Sequence, residues 1–120
     1  MKFPWYGLVP AFALALGVAT GAQAAVTTKT IVYEDGGTTL KGVLAWDDAA
    51  TGKRPGVLVV HEWWGLNDYA KGRAEQLAAA GYVAFALDMY GDDKVTEHGD
   101  QAGAWMKQIT ENVEAWRARA

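Results

Sequence analysis

The 120-residue sequence has no cysteine and, read position by position, no serine. Without cysteine the chain cannot form a disulfide bond, so its stability must come from its core. The two side chains that most often act as nucleophiles in enzymes are therefore both missing. Threonine would need a base, and only His61 and His98 could supply one; neither has an adjacent threonine whose placement the sequence defines.

Basic residues are also few. The chain has 11 Lys and Arg against 14 Asp and Glu, a formal net charge of −3. Nucleic-acid binding depends on clustered Lys and Arg, so the composition argues against a nucleic-acid partner. A hydrophobic content of 51% suits one ordinary globular domain.

The amino-terminal residues are predicted to form a secretory signal peptide. Lys2 gives a positive start, residues 8–18 are apolar throughout, and the sequence AQA at 22–24 matches the small-x-small cleavage pattern. The alternative is an uncleaved membrane anchor, but the apolar run is shorter than the roughly 20 residues of a spanning helix. Cleavage would leave a secreted or periplasmic domain, residues 25–120, with no membrane segment.

This domain is predicted to begin with an antiparallel hairpin. Residues 28–34 and 39–46 are rich in β-branched and aromatic residues, which favours strands. Asp35-Gly36-Gly37 lies between them and predicts a turn, because glycine tolerates the positive φ that tight hairpins require. Residues 47–55 are polar and predict a loop.

A βαβ unit is predicted next. Residues 56–60, GVLVV, are continuously apolar, which predicts a strand buried on both faces. Asn67 or Asp68 can cap a helix, and Gly81 can end it. Residues 82–87 predict a second buried strand, parallel to the first. The apolar residues of the intervening helix, at helical spacing, are Ala70, Ala74, Leu77 and Ala78.

One long amphipathic helix is predicted at the end of the chain, after a charged loop at 88–99. Asp100 is its predicted cap, and no turn signal follows Trp116. We therefore expect the chain to stop inside this helix. Its apolar face is Ala102, Trp105, Met106, Ile109, Val113, Trp116 and Ala120.

The candidate site lies where the two parallel strands end, because open α/β sheets bind ligands at the carboxyl ends of their strands. Residues 61–65, HEWWG, and 88–91, DMYG, occupy these ends. We predict a shared pocket floor built from Glu62, Trp63, Trp64 and Tyr90. The alternative is that the two tryptophans only cover the end of the sheet.

Metal and dinucleotide sites are disfavoured, and no cofactor is expected. His61-Glu62 begins an H-E-x-x-H pattern, but Gly65 stands at the fifth position and the stretch is not helical. The acidic loop lacks the D-x-D-x-D-G spacing of a calcium site. The turn HEWWGLND at 61–68 does not match the G-x-G-x-x-G pattern of a dinucleotide site.

Residues 54–91 resemble the dienelactone hydrolase family. The similar features are H-E followed by two aromatic residues and G-L-N, then R-A-E-x-L-A, then AGYVAFALDMYG. The resemblance implies an α/β fold, the amino-terminal half of an α/β-hydrolase sheet. It also implies hydrolysis of a small-molecule ester or lactone by a nucleophile–His–Asp triad without a cofactor.

The resemblance assigns roles at the strand end. Glu62 would contact the resting nucleophile, and Trp63 would donate its backbone N–H to the oxyanion hole. His61 matches a strand-end histidine that does not belong to the triad. Asp92 stands where the dienelactone-specific members have an arginine that binds the substrate carboxylate, so the resemblance disfavours dienelactone itself as substrate.

The resemblance also implies that the triad nucleophile, acid and histidine lie after Ala120. We therefore expect these 120 residues to be a fragment or an early-terminated product without esterase activity of its own. Residues 56–60 would then form an open sheet edge, because the nucleophile strand is their neighbour in the family. The alternative is a non-catalytic module that binds a small ligand or partner through Glu62, Trp63, Trp64 and Tyr90.

Overall fold

The computed structural model describes residues 24–120. The predicted signal peptide ends at Ala24, and its residues 1–23 lie outside the described residues. Within the described part of the chain, no helix is both long enough and apolar enough to cross a bilayer.

The described residues form a mixed α/β structure in which β4 lies between β2 and β3. The sheet order is β1-β2-β4-β3. β1 pairs with β2 and β2 with β4 in antiparallel fashion, whereas β3 and β4 are parallel, as predicted. The elements are β1 Val26–Asp35, β2 Thr38–Asp47, β3 Gly56–Val60, α1 Asp68–Ala79, β4 Val83–Leu87, α2 Gly99–Thr110 and α3 Val113–Arg119.

The predicted hairpin and first helix are confirmed. Asp35 pairs with Thr38 across the turn at Gly36 and Gly37. α1 is capped by Asn67, whose side-chain oxygen accepts a hydrogen bond from the Ala70 N–H at 3.1 Å. Gly81 has the predicted positive φ, 96°, after the helix.

Small side chains join α1 to the sheet. One face of the helix is buried, and it packs on strand residues that are equally small, so the backbones approach closely. Burial of this surface is the main stabilising contribution, about 25 cal/mol per Å² of apolar area. The buried cluster comprises Ala45, Leu66, Ala70, Ala74, Ala78, Ala84 and Ala86.

The prediction that residues 56–60 are buried on both faces is wrong. β3 is the outermost strand on its side of the described sheet. Leu58 is 57% exposed and Val60 is 54% exposed. Their apolar character indicates a strand that needs cover, but the described residues do not cover it fully. The result agrees with the expectation of an open edge.

The single long helix predicted for the end of the chain is divided into α2 and α3. Asn112 separates them, because its side-chain oxygen accepts a hydrogen bond from the Ala115 N–H at 3.1 Å and caps a new helix. The predicted cap at Asp100 is also wrong. The cap position is His98, two residues earlier; α2 starts at Gly99, and His98 makes no side-chain cap hydrogen bond.

Arg119 ties α3 back to the sheet. Its Nε donates to Asp35 Oδ2 at 2.9 Å, and its Nη1 donates to the Met89 carbonyl at 2.9 Å. The guanidinium thereby connects the last helix to the β1–β2 turn and to the loop that follows β4.

Candidate active site

The loops that follow β3 and β4 meet, as the sequence predicts. Val60 is paired with Leu87, so the two strands end side by side. The rings of His61 and Tyr90 lie 4.8 Å apart in an edge-to-face arrangement. The Tyr90 hydroxyl donates a hydrogen bond to the Trp63 carbonyl at 3.0 Å. The two loops thus form one connected structure.

Asp88 organises the loop after β4. Its carboxylate is buried, and Oδ1 accepts hydrogen bonds from the N–H groups of Tyr90 at 3.1 Å and Gly91 at 2.8 Å. Oδ2 accepts from the Lys41 N–H in β2 at 3.0 Å. One charged side chain therefore occupies three backbone donors, and the loop is closed onto the sheet.

The loop after β3 is fixed through its carbonyl groups. Each of the four carbonyls from residue 62 to residue 65 accepts a hydrogen bond from the protein, so four consecutive peptide groups have fixed acceptors. The donors, in order, are His61 Nδ1 at 2.5 Å together with Gly65 N–H at 3.3 Å, the Tyr90 hydroxyl at 3.0 Å, Thr96 N–H at 3.1 Å and Asn67 N–H at 2.8 Å.

The backbone N–H of Trp63 differs from these carbonyls. Within residues 24–120 it donates to no backbone carbonyl. Its residue borders a cleft of about 230 Å³. The predicted oxyanion donor is therefore not committed to another backbone group of the described chain. The cleft is lined by Val60, His61, Glu62, Trp63, Met89, Tyr90, Met106, Ile109, Thr110 and Trp116.

Gly65 allows the first loop to pack against the second. Its φ is 92°, and a Cβ atom at this position would lie 2.1 Å from the Lys94 carbonyl oxygen. Any side chain would separate the loop from Lys94 and strain the backbone. Glycine at the fifth position, which argues against a zinc motif, is thus required by close packing.

His61 is buried, and both nitrogens of its ring have partners in the protein. Its Nε2 accepts a hydrogen bond from the Met89 N–H at 3.1 Å. Burial lowers the pKa of His61, and the Glu62 carbonyl and the Asp88 charge only partly offset this effect. The protein itself therefore occupies both ring nitrogens, Nδ1 with the Glu62 carbonyl and Nε2 with the Met89 N–H.

The predicted site residues are only partly brought together. Glu62 is exposed and lines the cleft with Trp63. Trp64 packs on Trp63, with ring centroids 4.8 Å apart, but it lines a separate cavity with Asn67 and Val95. Tyr90 is 6% exposed, and burial raises the pKa of its hydroxyl. Tyr90 therefore contributes to the cleft mainly as a support for the Trp63 carbonyl.

Sequence reasoning missed the contribution of the last two helices. Met106 and Trp116 line the cleft and are 43% and 46% exposed. The sequence places both residues on the apolar face of one helix and assigns them no part in the site. An apolar stripe of this kind predicts a covered face but does not show whether a core or a cleft covers it.

The loop around Asp92 is acidic and exposed. Asp92 has a φ of 53°, and its carboxylate lies 3.4 Å from the Lys94 ammonium group. Asp93 forms an ion pair with Lys41. Within residues 24–120, no cluster of three or more His, Cys, Asp or Glu side chains is placed to hold a metal.

The fold and the joined strand-end loops define a mixed α/β protein whose four described strands match part of the sheet of dienelactone hydrolase-like α/β hydrolases. The family model of the dienelactone hydrolase family matches residues 40–119. The chain belongs to the dienelactone hydrolase family.

Similar proteins agree with this assignment. A protein of Aquifex aeolicus named as a carboxymethylenebutenolidase is 36% identical over 84 residues, covering 68% of this chain and 35% of that protein. The solved structure titled m3DLH is 41% identical with a TM-score of 0.73, covering 78% of this chain and 39% of its own.

A second solved structure, a dienelactone hydrolase-like promiscuous phosphotriesterase, P91, from metagenomic libraries, is 38% identical. Its TM-score is 0.72, and the match covers 78% of this chain and 39% of that one. The chain thus spans about a third of the length of the Aquifex relative and somewhat more of the two solved structures.

Proposed function

We propose that residues 24–120 supply the oxyanion-binding half of a hydrolase site that acts on carboxylic esters or lactones. The observation that supports this most directly is the asymmetry of the loop after β3. Its carbonyls at 62–65 are all hydrogen-bonded, while the Trp63 N–H has no backbone acceptor within the described residues. Such a loop is pre-organised to donate a hydrogen bond to negative charge.

Attack on an ester carbonyl places negative charge on the carbonyl oxygen. A fixed donor 2.7–3.1 Å from that oxygen stabilises the transition state by about 2.7–4 kcal/mol. In this proposal the Trp63 N–H is that donor, and Glu62 contacts the nucleophile in the resting state. The triad nucleophile, acid and histidine come from a segment outside these 120 residues.

The substrate is proposed to be an ester or lactone without a carboxylate near Asp92. A negative side chain at this exposed position repels a carboxylate rather than binding it. The cleft beside Trp63 is lined by Met106 and Trp116, which favours an apolar acyl or alcohol group. A relative's name refers to a butenolide, and a solved neighbour's title names a phosphotriesterase.

We further propose that the protein is exported and cleaved after Ala24. The support is the sequence pattern of residues 1–24 alone. Amino-terminal sequencing of the exported protein should give Ala25 as the first residue. An intact Met1 on the exported protein would contradict this proposal.

A chimera tests the proposed role of Trp63. Residues 40–119, the segment that matches the family, replace the corresponding segment of m3DLH, and hydrolysis of p-nitrophenyl acetate is measured. Trp63→Pro removes the N–H, so kcat should fall by about 10²–10³-fold. Trp63→Ala is the matched control, since it removes the ring and keeps the N–H, and it should retain most of the kcat.

Equal loss of kcat in the two variants would contradict the role of the N–H. A chimera that folds by circular dichroism but does not hydrolyse the ester would contradict the proposed function. The 120-residue chain alone should hydrolyse the ester no faster than buffer, because it offers no Ser or Cys nucleophile and His61 is occupied.

A further inference from the structure

We infer that His61 is a positioning residue that holds the peptide group between Glu62 and Trp63 in the orientation an oxyanion donor needs. This inference rests on the proposed function, because it concerns the same N–H group. It gives a task to a histidine that takes no part in the chemistry and is 8% exposed.

The partners of the imidazole fix its tautomer. The Met89 N–H can only donate, so Nε2, 3.1 Å away, must be unprotonated. The Glu62 carbonyl oxygen can only accept, so Nδ1, 2.5 Å away, carries the proton. His61 is therefore neutral, with its proton on Nδ1, and it connects the backbone after β3 to the backbone after β4.

The Glu62 carbonyl belongs to the same peptide group as the Trp63 N–H. A hydrogen bond to the oxygen of a peptide group fixes its plane and polarises it, which strengthens the N–H at the other end as a donor. Gly65 N–H provides a second, longer bond to the same oxygen at 3.3 Å. The shorter bond from His61 thus has the larger influence on this peptide.

The ring is held from a further side by Tyr90. Its ring lies 4.8 Å from the imidazole, edge to face, and its hydroxyl donates to the Trp63 carbonyl at 3.0 Å. The peptide groups on both sides of Trp63 are therefore anchored by side chains that pack on each other. His61 acts on the peptide before Trp63, and Tyr90 acts on the peptide after it.

The tautomer is measured directly in the 120-residue chain by side-chain ¹⁵N NMR at neutral pH. The spectrum should show a neutral His61 with the proton on Nδ1. A proton on Nε2, or rapid averaging between the two tautomers, would overturn the inference. This measurement needs no activity, so it decides the inference even if the chimera proves inactive and the proposed function fails.

Two amide variants in the chimera separate positioning from packing. His61→Asn can place an N–H near the Nδ1 position and keep the bond to the Glu62 carbonyl, so kcat should stay within about threefold of wild type. His61→Gln places its amide near the Nε2 position, so kcat should fall by about tenfold or more with KM nearly unchanged. Equal kcat values for the two variants would show a merely structural role and contradict the inference.

Discussion

The loops after β3 and β4 lie side by side, yet they are stabilised in opposite ways. After β4, a buried carboxylate, Asp88, binds backbone N–H groups. After β3, protein donors bind the backbone carbonyls of residues 62–65. In the loop after β4 the backbone N–H groups are bound, so this loop is closed onto the sheet. In the loop after β3 the backbone carbonyls are bound, and the Trp63 N–H has no backbone acceptor in the described residues.

This difference explains why two similar strand ends have different tasks. A loop whose donors are already bound cannot stabilise an oxyanion, however close it lies. In the loop after β3 the carbonyls of residues 62–65 are bound and the Trp63 N–H has no backbone acceptor within the described residues. This donor can therefore act without reorganisation, which is the condition for strong electrostatic stabilisation. The loop after β4 therefore supports its neighbour, and the loop after β3 presents the Trp63 N–H as a donor.

The largest effect is expected at Asp88. Asp88→Asn replaces one carboxylate oxygen by an N–H₂ group and removes the charge, so a buried backbone donor loses its acceptor. We expect the free energy of unfolding to fall by about 2–3 kcal/mol. Urea denaturation measures it. Asp92→Asn is the matched control on an exposed side chain and should change it by less than about 0.5 kcal/mol.

A loss at Asp88 no larger than at Asp92 would mean that the β4 loop does not depend on the carboxylate. The contrast between the two strand ends would then be lost.

Gly65→Ala disturbs the packing of the loop after β3 against Lys94. The new Cβ would lie 2.1 Å from the Lys94 carbonyl oxygen at a φ of 92°, so the loop must move. We expect a loss of about 2 kcal/mol in the free energy of unfolding. Gly72→Ala in α1 has open space around the new methyl group and should instead add about 0.5–1 kcal/mol. A Gly65 variant as stable as wild type would contradict the close packing of the two loops.

The pH dependence of stability reports on His61. Burial lowers its pKa in the folded chain below the ordinary value of 6.5, so between these two values the unfolded chain binds more protons. The contribution of neutral His61 to the free energy of unfolding is therefore fully present above about pH 6.5. It falls as the pH decreases toward the folded pKa, by at most about 1.4 kcal/mol per pH unit.

The comparison uses urea denaturation at several pH values between 5 and 8. Asp88, whose charge acts on His61, and Glu62 and Tyr90, which contact it, are the same in every variant. His61→Asn should remove this part of the slope, and His98→Asn, at an exposed position, should retain it. An unchanged slope in His61→Asn would contradict the buried neutral state.

The smallest effect on stability is expected at the sheet edge. Leu58→Lys places a charge on an exposed strand and should change the free energy of unfolding by less than about 0.5 kcal/mol. It should nevertheless reduce self-association, because a lysine blocks edge-to-edge pairing. Val32→Lys on the opposite edge strand, β1, is the control, since Val32 is 62% exposed and β1 already carries an exposed lysine, Lys29; it should leave self-association unchanged. Equal self-association of wild type and Leu58→Lys in sedimentation velocity would contradict an open β3 edge.

Much of the fold could be predicted from local sequence patterns. Asn67 and the spacing of Ala70, Ala74 and Ala78 define α1, and the Asp35-Gly36-Gly37 turn defines the hairpin. The exposure of β3 could not be predicted in the same way, because an apolar strand indicates a need for cover and does not show which residues provide it. The break at Asn112 was missed because an apolar stripe can continue across a cap.

The position of the candidate site could be predicted from the sequence, but the contacts of its individual side chains could not. The meeting of residues 61–65 with 88–91 follows from parallel strands that end together. The role of Asp88 as an acceptor for three amides depends on tertiary contacts that no local pattern encodes. The same holds for the separation of Trp64 from the cleft, since adjacent residues in a loop can point to different sides.

The most direct test of the central claim is amide hydrogen exchange at Trp63 in the folded 120-residue chain. The Asn67 N–H donates to the Gly65 carbonyl at 2.8 Å, and the Thr96 N–H donates to the Trp64 carbonyl at 3.1 Å, so both should exchange slowly. The account predicts that the Trp63 amide, lying between these fixed groups, exchanges much faster than either. Protection of Trp63 equal to that of Asn67 and Thr96 would contradict it.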